Sequence, residues 1–438
     1  MARVASPTAP AWWPLGALLA VGLGAAAAFS LTATVAGVAV ALLTWLFTRA
    51  KVKSELVVAL FWTAFCLYET VFSEVTLQGL FYPFYAAFVV SVVLALARSG
   101  VRFDPAIIWL YGAFLMVVAV SLLGFDGRVD FQVIQRLFAY VFGLLVALQF
   151  GSRRGLRPVL GAAVLTGLAI SIWVIDSSFR VGFAYRGGVS VDQNVVTFFI
   201  GFGAVVLLAA ILNAMGRADG RGRVAWLVLL LGVMLYAVML LASRGLTIAL
   251  LVAGLAIVAR TILFDPRRVG IIAVVAVLGV STLLLPGGDS LLERFALQDT
   301  ETANNRLPIW EHVLESYADG NPVEVVLGHG FNSSHRLVLQ LTGMLTSTHN
   351  AFLQILYEFG ALGLVLFLAL HALLLVRAYR IGDGNGVVMF GLLWFLIASN
   401  LSINAPDGFM YWTALGVTMA LGLWTETPTT DERLAQEG

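Results

Sequence analysis

The 438-residue chain is poor in most of the groups that soluble enzymes use. It contains one cysteine, Cys66, five histidines and two lysines, Lys51 and Lys53, and 12% of its residues are charged. A lone cysteine excludes an intrachain disulfide and a cysteine-built metal site. Soluble domains carry about 25% charged residues, so this chain lacks the charge to cover a water-facing surface. The net charge of +1 gives no electrostatic footprint for nucleic acid. Phosphate-cradling and dinucleotide-binding glycine fingerprints are missing, as is G-x-S-x-G. No D-x-D pair of the kind that holds a metal-bound nucleotide sugar stands on the outer side. Glu69 and Glu358 are the two carboxylates inside apolar runs.

What is there is hydrocarbon: 60% of the residues are apolar. Apolar runs of about 17 to 25 residues recur from end to end, each long enough to cross a bilayer. Ten-residue alternating patterns are absent, and spanning backbone must satisfy its own hydrogen bonds, so the runs predict helices. They fall near 12–29, 31–48, 56–73, 79–97, 106–124, 137–151, 158–175, 195–213, 224–242, 246–264, 269–286, 350–376, 386–402 and 408–424. The expectation is an all-α polytopic bundle of 12 to 14 spans, the first pair being close enough to count as one or two. The first run reads as a retained span rather than a cleaved signal. Residues 287–349 form the one long hydrophilic stretch. Three regions follow: 1–286 with spans and outer arginine loops, 287–349 as a large outer loop, and 350–438 with the last spans and a tail. Within the loop, Ile309, Trp310, Val313, Leu314 and Tyr317 recur at helical spacing behind Pro308. This predicts an amphipathic helix over 306–317 at the membrane surface.

Basic residues orient the chain. With both termini cytoplasmic, the inner loops hold Arg49, Lys51, Lys53, Arg98, Arg102, Arg153, Arg154, Arg157, Arg217, Arg221, Arg223, Arg260, Arg267, Arg268, Arg377 and Arg380. With Arg3 and Arg433 in the tails that makes 18 of the 26 basic residues, as the positive-inside rule requires. The long loop then faces outward. The remaining eight are all arginine: Arg128, Arg136, Arg180, Arg186, Arg244, Arg294, Arg306 and Arg336. A polyanionic ligand is a natural reason for them, because guanidinium clamps phosphate in bidentate fashion and keeps its charge when partly desolvated.

Three outer positions stand out. Arg186 lies in "FAYRGGVSVDQN", a glycine-rich loop before the eighth run; it is either an anion ligand or a solvated loop cation. Arg244 lies in "MLLASRGLTIALL", where two runs meet with almost no loop, so the chain turns at Ser243-Arg244-Gly245 on the outer boundary. A charge there is exposed, paired or functional. His349 opens the twelfth run. Ser347 or Thr348 is expected to cap that helix, with the ring in its first turn. The dipole there disfavours protonation and keeps the imidazole ready to accept a proton. On a regular helix Leu353, Leu356, Gly360 and Gly363 share the ring's face and Glu358 points away, so that the glycines admit a neighbouring helix. The alternative is an interfacial histidine over ordinary glycine packing. His312, His329 and His335 lack metal-ligand spacing and read as solvated; His371 reads as a satisfied packing residue. Asp289, Glu293, Asp299, Glu301, Glu311 and Glu315 form a charge run first and an acid or metal candidate second.

The stretch "HNAFLQILYEFGALG" fits H-[NSQ]-x9-G-x-x-[GTY] at His349, Asn350, Gly360 and Gly363. It resembles the signature of bacterial O-antigen ligases and the related O-antigen and exopolysaccharide polymerases. "SRG" at Ser243 to Gly245 and "YRGGVSVDQN" resemble the two arginine elements of that family, and the likeness covers roughly residues 180 to 400. It implies a GT-C-like helical bundle in the bacterial inner membrane with its site on the periplasmic side. It also implies a metal-independent inverting glycosyltransferase without a cofactor, active in lipopolysaccharide biosynthesis. The donor would be a glycan on undecaprenyl pyrophosphate, and the acceptor the lipid A core for a ligase or a second lipid-linked glycan for a polymerase. On that expectation Arg186 and Arg244 bind the pyrophosphate, and His349 deprotonates or orients the acceptor hydroxyl. Arg306, Asn350 and Glu311 support them, and Gly360 and Gly363 pack beneath.

A flippase for the same lipid is the rival from another class. Transporters carry ionisable groups near the midplane, broken helices and internal repeats. This sequence shows no repeat and gathers its polar groups on one side, which favours an enzyme. A non-catalytic scaffold leaves the outward arginines unexplained.

Overall fold

A computed structural model describes residue 63 and residues 104–124, 136–147 (138, 142 and 145 excepted), 153–181, 192–215, 221–264, 284–286, 306–343, 347–403 and 408–423. Among them the structure is helical and contains no strand. Among the described residues, five helices are long and apolar enough to cross a membrane: Leu156–Arg180, Gln193–Met215, Gly222–Leu241, Arg244–Phe264 and Ala351–Arg380. The chain is a polytopic helical membrane protein. The expected runs 12–29, 31–48 and 79–97, all but one residue of 56–73 and all but 284–286 of the run 269–286 lie outside the described residues.

In chain order the helices are α1 (Pro105–Ser121), α2 (Arg153–Arg180), α3 (Gln193–Met215), α4 (Arg221–Leu241) and α5 (Arg244–Phe264). The loop contributes α6 (Arg306–Ala318), α7 (Pro322–Leu327) and α8 (Ser333–Thr342), followed by α9 (Ala351–Arg380), α10 (Gly384–Ser399) and α11 (Phe409–Leu423). Residues between 136 and 147 are also helical. Their ends follow from local chemistry. Asp104 accepts from the Ala106 and Ile107 amides ahead of Pro105, which needs no hydrogen bond at the first helical position. Asp383 caps α10 in the same way. The 28-residue α2 is about 42 Å long at 1.5 Å per residue, longer than a hydrocarbon core of about 30 Å.

An aromatic cluster closes the centre. Phe114 of α1 stacks on Trp412 of α11 with centroids 5.9 Å apart, and Tyr140 meets Trp412 edge-on at 4.9 Å. Phe331, Phe359 and Phe367 complete the group. The Tyr111 hydroxyl, beside Trp412, donates to the Tyr140 carbonyl at 2.5 Å and is thereby satisfied.

The bundle has two chemically distinct ends. At one, Arg377 pairs with Asp104, and the Arg260 guanidinium donates to the Ala378 and Ile381 carbonyls, which the end of α9 leaves without helical partners. At the other, the Phe331 amide donates to the Ser121 carbonyl at 3.1 Å. There too Ser243 reaches Asn194 at 2.9 Å, and the Ala351 amide donates to Asn400 at 2.8 Å.

The loop helix forms as predicted, but its apolar face serves another purpose. Ile309 and Val313 are buried with Leu337 and Val338 of α8 and Tyr357 of α9, with Trp310, Tyr317 and Leu353 packed around them. The helix covers the bundle instead of laying that face on a bilayer; Leu307 and Leu314 remain exposed.

Candidate functional site

His349 sits on a turn pinned from three sides. Asn350, not Ser347 or Thr348, caps α9, its side chain accepting from the Phe352 and Leu353 amides at 3.0 and 3.2 Å. Thr348 is fully buried and its hydroxyl donates to the Asn350 carbonyl at 2.9 Å. The Thr348 carbonyl accepts from the Trp310 indole at 2.8 Å, which ties the turn to α6. The Ala351 amide donates to the Asn400 carbonyl at 2.8 Å, which ties it to the end of α10. Between these anchors His349 takes φ 52°, the left-handed region that side chains seldom occupy. The expectation of a ring in the first helical turn is therefore corrected: His349 precedes the helix and projects from its cap. It is half-buried.

Two arginines and a carboxylate lie at the same end of the bundle as this turn. Arg306, at the start of α6, donates to the Ser402 carbonyl at 2.9 Å. Ser402 also touches the arginine turn, because a Cβ on Gly245 would lie 2.2 Å from the Ser402 Cβ. Only a glycine after Arg244 lets α5 start against this segment. Arg244 itself is half-buried at the first position of α5. The first residue of the turn, Ser243, donates to the Asn194 side-chain oxygen of α3 at 2.9 Å. Two residues earlier Asp192 accepts from the Asn194 amide at 2.8 Å. Segment 399–402 thus gathers the Arg244 turn, Arg306 and the His349 turn at one end of the bundle.

The electrostatics agree with a proton acceptor. Burial is the largest cause pushing the His349 imidazole below its ordinary value; the Arg306 guanidinium and His335 push the same way, and Asp192 opposes them. The direction is the one expected from the helix dipole, but the cause is desolvation and a neighbouring cation. A neutral ring at neutral pH accepts a proton from a hydroxyl.

The other expected residues are placed differently. Arg186 lies outside the described residues. Glu311 is exposed on α6, away from the face that carries Ile309 and Val313. Gly360 is not helical: φ 68° and ψ −173° break α9 there, so the regular helical face drawn through His349, Leu353, Leu356, Gly360 and Gly363 does not exist. Gly360 meets the loop rather than a spanning helix, a Cβ on it lying 2.3 Å from the Val326 carbonyl oxygen. Gly363 packs beneath Phe359, with Val117 of α1 nearby.

Glu358, expected to point away, is fully buried and paired with Arg136 at 2.9 Å. Ser334 donates to its other oxygen at 2.5 Å, and His335 Nδ1 lies 3.8 Å from it. Arg136 also donates to Asn332 at 2.6 Å and lies 4.8 Å from the Phe331 ring centroid. This cluster locks α8 and the loop onto the break in α9. It also corrects the reading of two loop histidines as solvated: His335 faces the ion pair, and His329 stacks on Tyr357 at 4.3 Å. The available signal was a carboxylate within an apolar run and an arginine at the start of another, two charges that hydrocarbon forces to find partners. Trp310, Asp192 and segment 399–402 carried no comparable signal.

Residues 223–368 match the family model described as O-antigen ligase. The match runs from α4 into α9 and includes the Arg244 turn, α6 to α8 and His349. No curated protein matches the chain.

Proposed function

We propose that this member of the O-antigen ligase family, identified by its domain over residues 223–368, is a ligase that moves a glycan from undecaprenyl pyrophosphate to a sugar of the lipid A core. The reaction takes place on the periplasmic face of the bacterial inner membrane. The family as a whole points to a glycosyltransferase-like enzyme acting on lipid-linked glycans; donor, acceptor and sidedness are the proposal. One observation carries it: the His349 turn, Arg306 and the Arg244 turn converge on segment 399–402. The arginine-rich opposite end, with Arg260, Arg377 and Arg380, supports placing this end outside.

In the proposed reaction the acceptor hydroxyl oxygen attacks the anomeric carbon from the side opposite the phosphate. The carbon–oxygen bond to the pyrophosphate breaks, the anomeric configuration inverts, and the hydroxyl proton passes to His349. The leaving diphosphate needs little protonation but much charge stabilisation. Arg244, with Arg186 of the glycine-rich segment that precedes α3 in sequence, supplies guanidinium donors, and Arg306 stands between the phosphate and the ring. Asn350 holds the turn through its cap and does not need to touch substrate. Apolar surfaces between spans accommodate the polyprenyl tail.

The test is transfer by the purified full-length protein in detergent, given lipid-linked glycan with or without a lipid A core acceptor. Glycan appearing on the core supports the ligase. A ladder growing on the carrier lipid shifts the assignment to polymerase, and intact donor in both arms removes the enzyme reading. His349→Ala and Arg244→Ala abolish product while the protein remains folded; wild-type turnover in either variant removes that residue from the mechanism.

A further inference from the structure

Beneath the His349 turn, a chain of buried polar groups runs into the apolar interior. The Asn400 amide nitrogen donates to the Tyr411 hydroxyl at 3.0 Å, and that hydroxyl lies 2.6 Å from His371 Nε2. His371 Nδ1 lies 2.8 Å from the Phe367 carbonyl. A carbonyl only accepts, so in the neutral ring Nδ1 carries the proton and Nε2 is the acceptor. Tyr411 therefore donates to His371, and its oxygen is free to accept from Asn400. The bonds run in one consistent direction from Asn400 down to the α9 backbone one turn before His371. All three residues are essentially excluded from solvent.

Hydrocarbon packing does not call for such a chain. Three polar side chains placed among apolar helices cost desolvation that leucine or phenylalanine would avoid. One atom is not even compensated: among the described residues no donor reaches Asn400 Oδ1, although the residue is fully buried. Among the described residues Tyr411 is consequently the single side-chain partner of the Asn400 amide. The main-chain carbonyl of the same residue accepts from Ala351, the first residue of α9 and the second after His349.

We infer that His371 and Tyr411 are positioning residues: through Asn400 they fix the end of α10, and with it the height and orientation of the His349–Ala351 turn. The relay spans α9, α11 and the end of α10, so it ties three helices to the segment on which Arg306 and the Arg244 turn also rest. As regards catalysis the inference rests on the proposed transferase reading; the mechanical coupling does not.

The experiment measures the coupling directly. Hydrogen–deuterium exchange is followed in the full-length protein in detergent, for the wild type, Tyr411→Phe, His371→Leu and His371→Gln. Tyr411→Phe keeps the ring packing and removes only the hydroxyl. Amides at 351–353 then exchange about tenfold faster, the equivalent of about 1.4 kcal/mol, while helices far from the turn, such as α2, exchange as in the wild type. His371→Leu loosens the same amides. His371→Gln, whose amide can both donate to Phe367 and accept from Tyr411, restores wild-type exchange. Transfer assays on the same samples show kcat lowered about tenfold in Tyr411→Phe, with KM for the lipid-linked donor changed by less than about twofold, because the loss is in alignment and not in binding. Unchanged exchange at 351–353, or equal acceleration throughout the chain, overturns the inference. Faster local exchange in a protein whose wild type consumes no lipid-linked glycan upholds the coupling and refutes the proposed function alone.

Discussion

Replacing Gly360 by alanine probes the junction that positions the loop over the bundle. Gly360 has φ 68° and ψ −173°, a region essentially reserved for glycine, in which another residue costs about 1–3 kcal/mol. Space is lacking as well. The new Cβ would lie 2.3 Å from the Val326 oxygen, 2.4 Å from its carbon and 2.5 Å from the Gly328 nitrogen. These are backbone atoms that cannot swing aside, and overpacking of this kind adds about 1–3 kcal/mol. Gly328 faces the break from the other side with φ 85°, its own Cβ position 2.3 Å from the Glu358 carbonyl oxygen. Between them the His329 amide donates to Tyr357 at 2.8 Å, a bond that the displacement would break. Alanine restricts the unfolded chain and returns about 0.4–1 kcal/mol, so the net loss is roughly 1–5 kcal/mol. The assay is denaturant unfolding of the purified protein in detergent, with Gly112→Ala as control. Gly112 lies in the interior of α1 with nothing within 4 Å of an added Cβ, so its replacement is expected to stabilise by about 0.5–1 kcal/mol. Equal midpoints for Gly360→Ala and Gly112→Ala would show that the break and its loop contact do not exist as described.

Two further outcomes follow from the charges. Glu358→Gln leaves Arg136 buried without its anion and costs about 3–5 kcal/mol, whereas Arg136→Met with Glu358→Leu costs far less than the two single changes together; strictly additive losses in that unfolding cycle would refute the pair. The acid limb of kcat/KM for the acceptor lies below 6.5, the ordinary histidine value, because burial and Arg306 hold the His349 imidazole down and the neutral ring is the active form. Arg306→Gln removes one of those causes, so the limb moves to higher pH while activity well above it survives; an unmoved limb in the pH–rate profile would separate Arg306 from His349.

The helices were legible because their cause is local. Apolar runs of spanning length, the helical spacing behind Pro308, and the near-loopless Ser243-Arg244-Gly245 turn each announce an element through its own residues. His349 and Arg244 were legible for a related reason: an ionisable group at the edge of an apolar run is conspicuous. Extrapolation failed where it assumed regularity. The face through His349, Gly360 and Gly363 presumed an unbroken helix, and one glycine in a non-helical conformation ended it. Glu358 was turned away from that face by the same rotation, and it lies fully buried, bound to Arg136.

By itself, the sequence determined that the chain is a helical membrane protein, that apolar runs of spanning length underlie its described helices, and that one histidine and several arginines stand at the ends of those helices. These depend on hydrophobicity and backbone hydrogen bonding along a single segment. The tertiary structure alone decided that Trp310, Asn400 and Ser402 anchor the candidate site, that Arg136 finds Glu358 222 residues away, and that Tyr411 and His371 lie beneath the His349 turn. Those are partnerships between distant segments. They are set by how helices pack once each has formed, and side chains that ordinary packing would bury in any helical bundle leave no trace of them in the linear pattern.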